Sequence, residues 1–156
     1  MPEVLEKIKK LNEIKDQKKF NFEVLEPSLS DLDYEAVMSS KDRLRQVFAK
    51  NDEWPKADMS YELNKNDLIM HENEFKAKEA FAYAVFNAQK DNYIGCVYIN
   101  PTEYPGHDCE VYLWVKDSEI EKDKVLFQCV DEWLKKEWSF QQIAYPGRTI
   151  AWDDWS

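Results

Sequence analysis

The chain has 156 residues, a formal net charge of -10, and 44% hydrophobic and 14% aromatic residues. That length suits one domain with a bulky core, and the excess of carboxylates argues against nucleic acid or an anionic membrane surface as partners, since both need clustered Lys and Arg. A cationic ligand or basic partner is favoured, and with only 3 glycines few positions let backbone approach a ligand closely.

Leu5, Ile8, Leu11 and Ile14 recur every third residue among Lys and Glu, which predicts an amphipathic helical extension over residues 1–19, ahead of a domain at 20–156. Alternation from Phe20 to Leu25 predicts a first strand, closed by Glu26-Pro27. Ser28 with Asp31, and Ser30 with Asp33, fit the start of a helix whose apolar side holds Leu32, Tyr34, Ala36, Val37 and Met38. Lys41 to Lys50 suits strand or helix equally, and Trp54-Pro55 marks an aromatic loop. Ser60 to Lys76 predicts a helix with Tyr61, Leu68, Ile69 and Phe75 on one side. Two alternating runs, Ala80 to Asn87 and Tyr93 to Ile99, form a hairpin across the polar turn Gln89-Lys90-Asp91-Asn92.

Cys109 to Val115 is the central strand: Val111, Leu113 and Val115 alternate with Tyr112 and Trp114, the pattern of a strand packed on both faces. A helix follows, carrying Val125, Leu126, Cys129, Val130, Trp133 and Leu134 at helical spacing, with Lys135 and Lys136 at its C-terminal end. Ser118 with Glu121 spells a capping box for its start. Phe140 to Tyr145 predicts another strand, and Thr149 to Trp152 a short last one. The order implies an α+β domain with a largely antiparallel sheet.

That order, with Asn92-Tyr93-Ile94-Gly95-Cys96-Val97-Tyr98-Ile99, then Glu110-Val111-Tyr112-Leu113-Trp114-Val115, then a helix ending Asp131-Glu132-Trp133-Leu134, resembles the GNAT superfamily of acyl-CoA-dependent N-acetyltransferases. The likeness runs from Phe20 to Tyr145. It implies a mostly antiparallel, twisted sheet flanked by helices, acetyl-CoA or another acyl-CoA as cosubstrate, and the amine of a small molecule or protein, cationic before reaction, as acceptor. It implies Glu110 as the base that takes the amine proton and Tyr145 as the acid beside the departing sulfur. Trp114, Val115 and Lys116 at the end of the central strand, with Ser118 and Lys122 in the next loop, are the implied cofactor contacts, Val115 and Lys116 by backbone pairing to a pantetheine arm.

The chain departs from the family pattern in the loop Lys116 to Asp123, which has no glycine and more carboxylates than lysines where the family has a Gln/Arg-x-x-Gly-x-Gly/Ala motif. The sequence also ends soon after the fifth strand, short of the family's usual last helix and strand pair. Two readings follow: an active N-acyltransferase, or a binding module on the same fold that has lost the pyrophosphate site. No metal is expected. In His71-Glu72-Asn73-Glu74 only His71 and Glu74 share a helix side, and His107 and Cys109 lack a second pair of ligands. The three cysteines, Cys96, Cys109 and Cys129, read as buried thiols. With no signal peptide and no long apolar run, a cytoplasmic protein is expected, its oligomeric state open.

Overall fold

A computed structural model describes residues 20–44, 47–48 and 54–155; the extension predicted at 1–19 lies outside them. Five strands, β1 (Phe20–Val24), β2 (Phe81–Asn87), β3 (Tyr93–Asn100), β4 (Cys109–Val115) and β5 (Ile143–Ala144), form one sheet in that order. Every pairing is antiparallel except that of β4 with β5, which is parallel. Helices α1 (Ser30–Ser39), α2 (Lys41–Leu44) and α3 (Tyr61–Lys76) lie between β1 and β2, and α4 (Asp123–Glu137) joins β4 to β5. A parallel pair needs such a crossover, whereas the antiparallel pairs β2–β3 and β3–β4 need only loops.

The alternation in β4 sorts its side chains into two cores. Val111, Leu113 and Val115 pack with Leu126, Val130 and Leu134 of α4, while Tyr112 and Trp114 pack on the opposite face with Ala36 and Val37 of α1 and Leu68 of α3. Leu126, Val130 and Leu134 are fully buried, and each contributes about 1.5–3 kcal/mol. The hairpin turn is fixed by Asn87, whose Oδ1 accepts from the Asp91 and Asn92 N–H groups, both at 3.0 Å.

Helix starts depart from the sequence reading in two places. Ser60 caps α3 as the sequence suggests, accepting from the Leu63 N–H at 3.1 Å. Before α1, however, the chain makes a 3-10 turn over Pro27–Leu29, and the Ser30 hydroxyl donates back to the Pro27 carbonyl at 2.6 Å instead of capping. The Ser118–Glu121 box does not form either. Asp117–Lys122 is a 3-10 segment broken at Glu119, and α4 begins only at Asp123 with no side-chain cap at Lys122.

The end of the chain is also less extended than expected. Only Ile143 and Ala144 pair with β4, because the Tyr145 carbonyl turns to accept from the N–H groups of Arg148, Thr149 and Ile150. The strand predicted at Thr149 to Trp152 is replaced by a single bridge, Pro146 to Ile150, and a 3-10 turn at Trp152–Asp154. Asp108 holds the two parallel strands together at their start. Its carboxylate accepts from the Gln141 and Gln142 N–H groups at 2.9 and 3.0 Å, while its own N–H donates to the Gln142 carbonyl at 2.7 Å.

Between Val85 and Phe86 the β2–β3 register slips by one residue, leaving Ile94 as the extra residue of a bulge beside Gly95. A Cβ on Gly95 would lie 1.9 Å from the Trp114 carbonyl oxygen and 2.9 Å from the Val115 Cα, both backbone. Gly95→Ala should therefore push β3 and β4 apart and destabilise the protein by about 3 kcal/mol, read from denaturant unfolding; a change below about 0.5 kcal/mol would show that the strands yield without cost. A second expectation concerns acid. Hydrogen bonds from the Gln142 and Gln141 N–H groups hold the Asp108 carboxyl below its usual range. A depressed folded-state value stabilises above the unfolded pKa, about 3.9, and that contribution disappears as pH falls through the folded value. The protection factors of the Gln141 and Gln142 amides, corrected for intrinsic exchange, should fall below about pH 4, and in Asp108→Ala they should already be low at neutral pH.

Candidate active site

The parallel pair opens into a fork. Cys109 and Glu110 are the last β4 residues paired to β5, and beyond them the edge of β4 borders a cleft of about 250 Å³ lined by Arg43, Val47, Tyr112, Gly147 and Arg148 among others. The cleft exists because Pro146 and Gly147 turn β5 away just where β4 continues. Gly147 is required there: its φ is +79°, and a Cβ would lie 2.4 Å from the Trp152 indole.

Two arginines reach the open edge of β4. Arg148 donates to the Leu113 carbonyl at 3.4 Å, to both Asp123 carboxylate oxygens at 2.7 and 3.0 Å, and lies over the Phe127 ring at 5.3 Å. Arg43, from α2, donates to the Val115 carbonyl and to Asp117 at 2.6 Å. The Leu113 and Val115 carbonyls face away from β3, where a further strand would pair. The cleft thus brings two guanidinium groups, each paired with a carboxylate, to the edge of β4 that β5 leaves uncovered.

Glu110 stands at the base of the fork, half-buried. The Tyr112 hydroxyl, two residues on and on the same strand face, donates to its Oε1 at 2.7 Å. Burial, then this bond to Glu110, pushes the Tyr112 phenol well above its ordinary value, so it remains a donor at neutral pH. Phe48 packs on both Tyr112 and Tyr98, with ring centroids 5.4 and 4.9 Å apart.

The remaining residues predicted from the sequence are dispersed. Tyr145 donates its hydroxyl to Asp131 of α4 at 2.8 Å. Burial, then that bond, raises its phenol far above the usual range. Trp114 is buried, its indole N–H donating to the Tyr98 hydroxyl at 3.0 Å, and its carbonyl faces Gly95 of β3, so it does not line the cleft. Lys116 reaches Asn92 at 3.1 Å, and its N–H donates to the Ile94 carbonyl at 2.8 Å. Lys122 pairs with Glu119 at 2.9 Å, which holds the Glu119 carboxyl below its usual range. Ser118 is exposed. The Asp117 N–H, at the head of the loop, donates to Ser40 Oγ at 2.7 Å. The loop therefore turns its lysines toward the β2–β3 turn, and the fork brings in Arg43 and Arg148, which the sequence reading missed. Arg148 follows Pro146-Gly147 directly, a turn that was legible; Arg43 lies in the stretch that suited strand or helix.

Comparison with family models and with curated proteins gives no match. Solved structures do match. A ribosomal-protein-S5-alanine acetyltransferase from Vibrio fischeri aligns with a TM-score of 0.60 at 20% identity over 81% of this chain and 69% of that one. A ribosomal L7/L12 alpha-N-protein acetyltransferase aligns at 0.62 and 14% over 81% and 66%. A spermidine N-acetyltransferase from Vibrio cholerae, in complex with CoA and spermine, aligns at 0.52 and 12% over 80% and 68%. The chain spans about two thirds of the length of each. At such identities the likeness is one of fold: five mixed strands in this order, flanked by helices, are the fold of the GNAT acetyltransferases.

Proposed function

We propose that the chain is an acyl-CoA-dependent N-acyltransferase whose cosubstrate lies in the fork between β4 and β5. The observation that carries this reading is the open β4 edge flanked by Arg43 and Arg148. Such an edge suits an amide-bearing arm, which pairs with backbone as a strand does, and the guanidinium groups suit the anionic end of the same molecule. Val115 offers its backbone, with Trp114 and Lys116 on either side of it. Lys122 and Ser118 would contribute only if the loop turned toward the fork. The cosubstrate supplies an activated acyl carbon: the amine nitrogen bonds to it, the carbon–sulfur bond breaks, and the departing thiolate takes its proton from solvent, while the chain's own residues prepare the amine.

A primary amine attacks only after losing a proton. Glu110 is the group at the fork that accepts it, held in place by the Tyr112 hydroxyl. Tyr145 enters as a pin between β5 and α4, its phenol committed to Asp131. The acceptor belongs to the amines: among proteins of this fold, one is a spermidine acetyltransferase and others act on ribosomal protein N-termini. A second reading, a binding module without transfer, is favoured by the closure of the loop: Ser40 takes the Asp117 N–H, and Asp117 and Asp123 already engage the two arginines.

Titration calorimetry with acetyl-CoA should show saturable binding in the micromolar range, about -8 kcal/mol, weakened at least tenfold in Arg148→Ala and by added salt. In Glu110→Gln, turnover on an amine panel should fall by about 10² or more with the dissociation constant little changed. Absence of binding up to millimolar acetyl-CoA would remove the transferase reading and leave the binding module. Binding with unaltered turnover in Glu110→Gln would remove Glu110 as the base while keeping the cleft.

A further inference from the structure

Phe48, which touches Tyr112, also lines a second and larger pocket of about 480 Å³ on the α3 face of the sheet. Its aromatic corner is made by Phe48, Trp54 and Tyr98, with the Phe48 ring 5.3 Å from Trp54 and 4.9 Å from Tyr98. Facing that corner are Asp33, Asp67, His71 and Glu74. Among the described residues lining the pocket there is no lysine or arginine.

The helix that supplies these groups is turned against the usual preference. Asn64, Asp67, His71 and Glu74 fall at helical spacing on one face of α3, and that face borders the pocket together with Leu68 and Met70, while Leu63 and Ile69 are 51% and 39% exposed. Beneath them Asp33, 3% exposed, accepts from the Tyr93 hydroxyl at 2.6 Å, Asn64 Nδ2 at 2.9 Å and Cys96 Sγ at 3.4 Å, all neutral donors. Burial raises the Asp67 carboxyl above its usual range, the sign of an anion short of compensation. His71 offsets only part of that burial. Burial lowers its imidazole below the usual value against the pull of Glu74, 3.6 Å away, so the ring is neutral at pH 7 and lies 5.4 Å from the Tyr98 ring.

Negative charge drawn into a concave site lined by aromatic rings is the chemistry that recognises alkylated ammonium groups. A bare metal ion would call for converging ligands, and no group of three or more His, Cys, Asp and Glu side chains suited to one occurs among the described residues. We propose that this pocket binds a small organic cation, an ammonium group bearing apolar substituents, between the rings of Phe48, Trp54 and Tyr98 and the carboxylates of Asp67 and Glu74. Binding here requires no transfer chemistry, so it stands or falls apart from the fork.

Choline and its uncharged analogue 3,3-dimethyl-1-butanol, which have nearly the same shape, test the idea in nitrogen-detected NMR titrations of the whole chain. Choline should saturate, with shifts concentrated at the Trp54 indole and the amides of Asp67, His71 and Tyr98, and the analogue should bind at least tenfold more weakly. Asp67→Asn should weaken choline at least fivefold while leaving the fold intact, because the substitution removes a desolvated charge; Trp54→Leu should do the same. Should Trp54→Leu fail to fold, Asp67→Asn decides alone. The proposal is overturned if the analogue binds as well as choline, if shifts appear at Gly147 and Arg148 instead, if Asp67→Asn leaves choline affinity unchanged, or if choline shows no saturation up to about 0.1 M.

Discussion

Val111, Leu113 and Val115 are held in the core beneath α4, and Tyr112 and Trp114 in the core beneath α1 and α3, so β4 is fixed from both faces at once. Its position is fixed along one edge as well, where Gly95 allows β3 to approach until the Trp114 carbonyl occupies the space of a Cβ. What remains is the opposite edge. Because β4 cannot shift to satisfy its outward carbonyls and β5 turns away after Ala144, other groups must reach them, and the chain sends Arg43 and Arg148.

Those arginines are also the point at which the two functional readings meet. Each is engaged by a carboxylate, Asp117 or Asp123, at the mouth of the acidic loop. The Arg43–Asp117 pair has 34% and 51% of its side-chain surface exposed, and exposed pairs contribute only about 0.2–1 kcal/mol. An incoming group with two or more anionic oxygens offers both guanidinium groups more than that. The contact between Asp117 N–H and Ser40 is different in kind, since it removes a backbone donor from the loop and is made from a buried hydroxyl. On the proposed transferase reading, anion capture at the fork therefore falls to side chains and not to loop backbone, in keeping with a loop that has no glycine.

The strands and α4 were legible in the sequence because their signals are local periodicities reinforced by burial: the two-residue alternation of β4 and the helical spacing of Leu126, Val130 and Leu134 describe faces that the structure does bury. α3 forms where the sequence placed it, but its expected apolar side does not hold, since of Tyr61, Leu68, Ile69 and Phe75 only Leu68 is buried and Ile69 is 39% exposed. The resemblance in element order holds at the level of fold. What failed were inferences in which a short local pattern had a distant competitor. The Ser118–Glu121 box lost to a 3-10 turn tied to Asn92 and Ser40, and the strand expected over Phe140 to Tyr145 was cut short by the turn that takes the Tyr145 carbonyl. At the fork, Glu110 was named from the resemblance, whereas Arg43 and Arg148 converge from separate ends of the domain sequence and no spacing rule joins them.

The two long helices divide the work of the fold unequally. α4 has 15 residues and gives Leu126, Val130 and Leu134 wholly to the core, whereas α3 has 16 and buries only Asn64 and Leu68. A helix of that length optimised for stability would turn Leu63 and Ile69 inward, where each would contribute about 1.5–3 kcal/mol. Instead it directs Asn64, Asp67, His71 and Glu74 to the pocket over buried Asp33, an arrangement that desolvates charge without supplying a countercharge among the described lining residues. Local choices that oppose stability in a well-packed domain persist where they have a use. On that ground, the proposed cation pocket rests on the inward face of α3 as the proposed transferase reading rests on the fork.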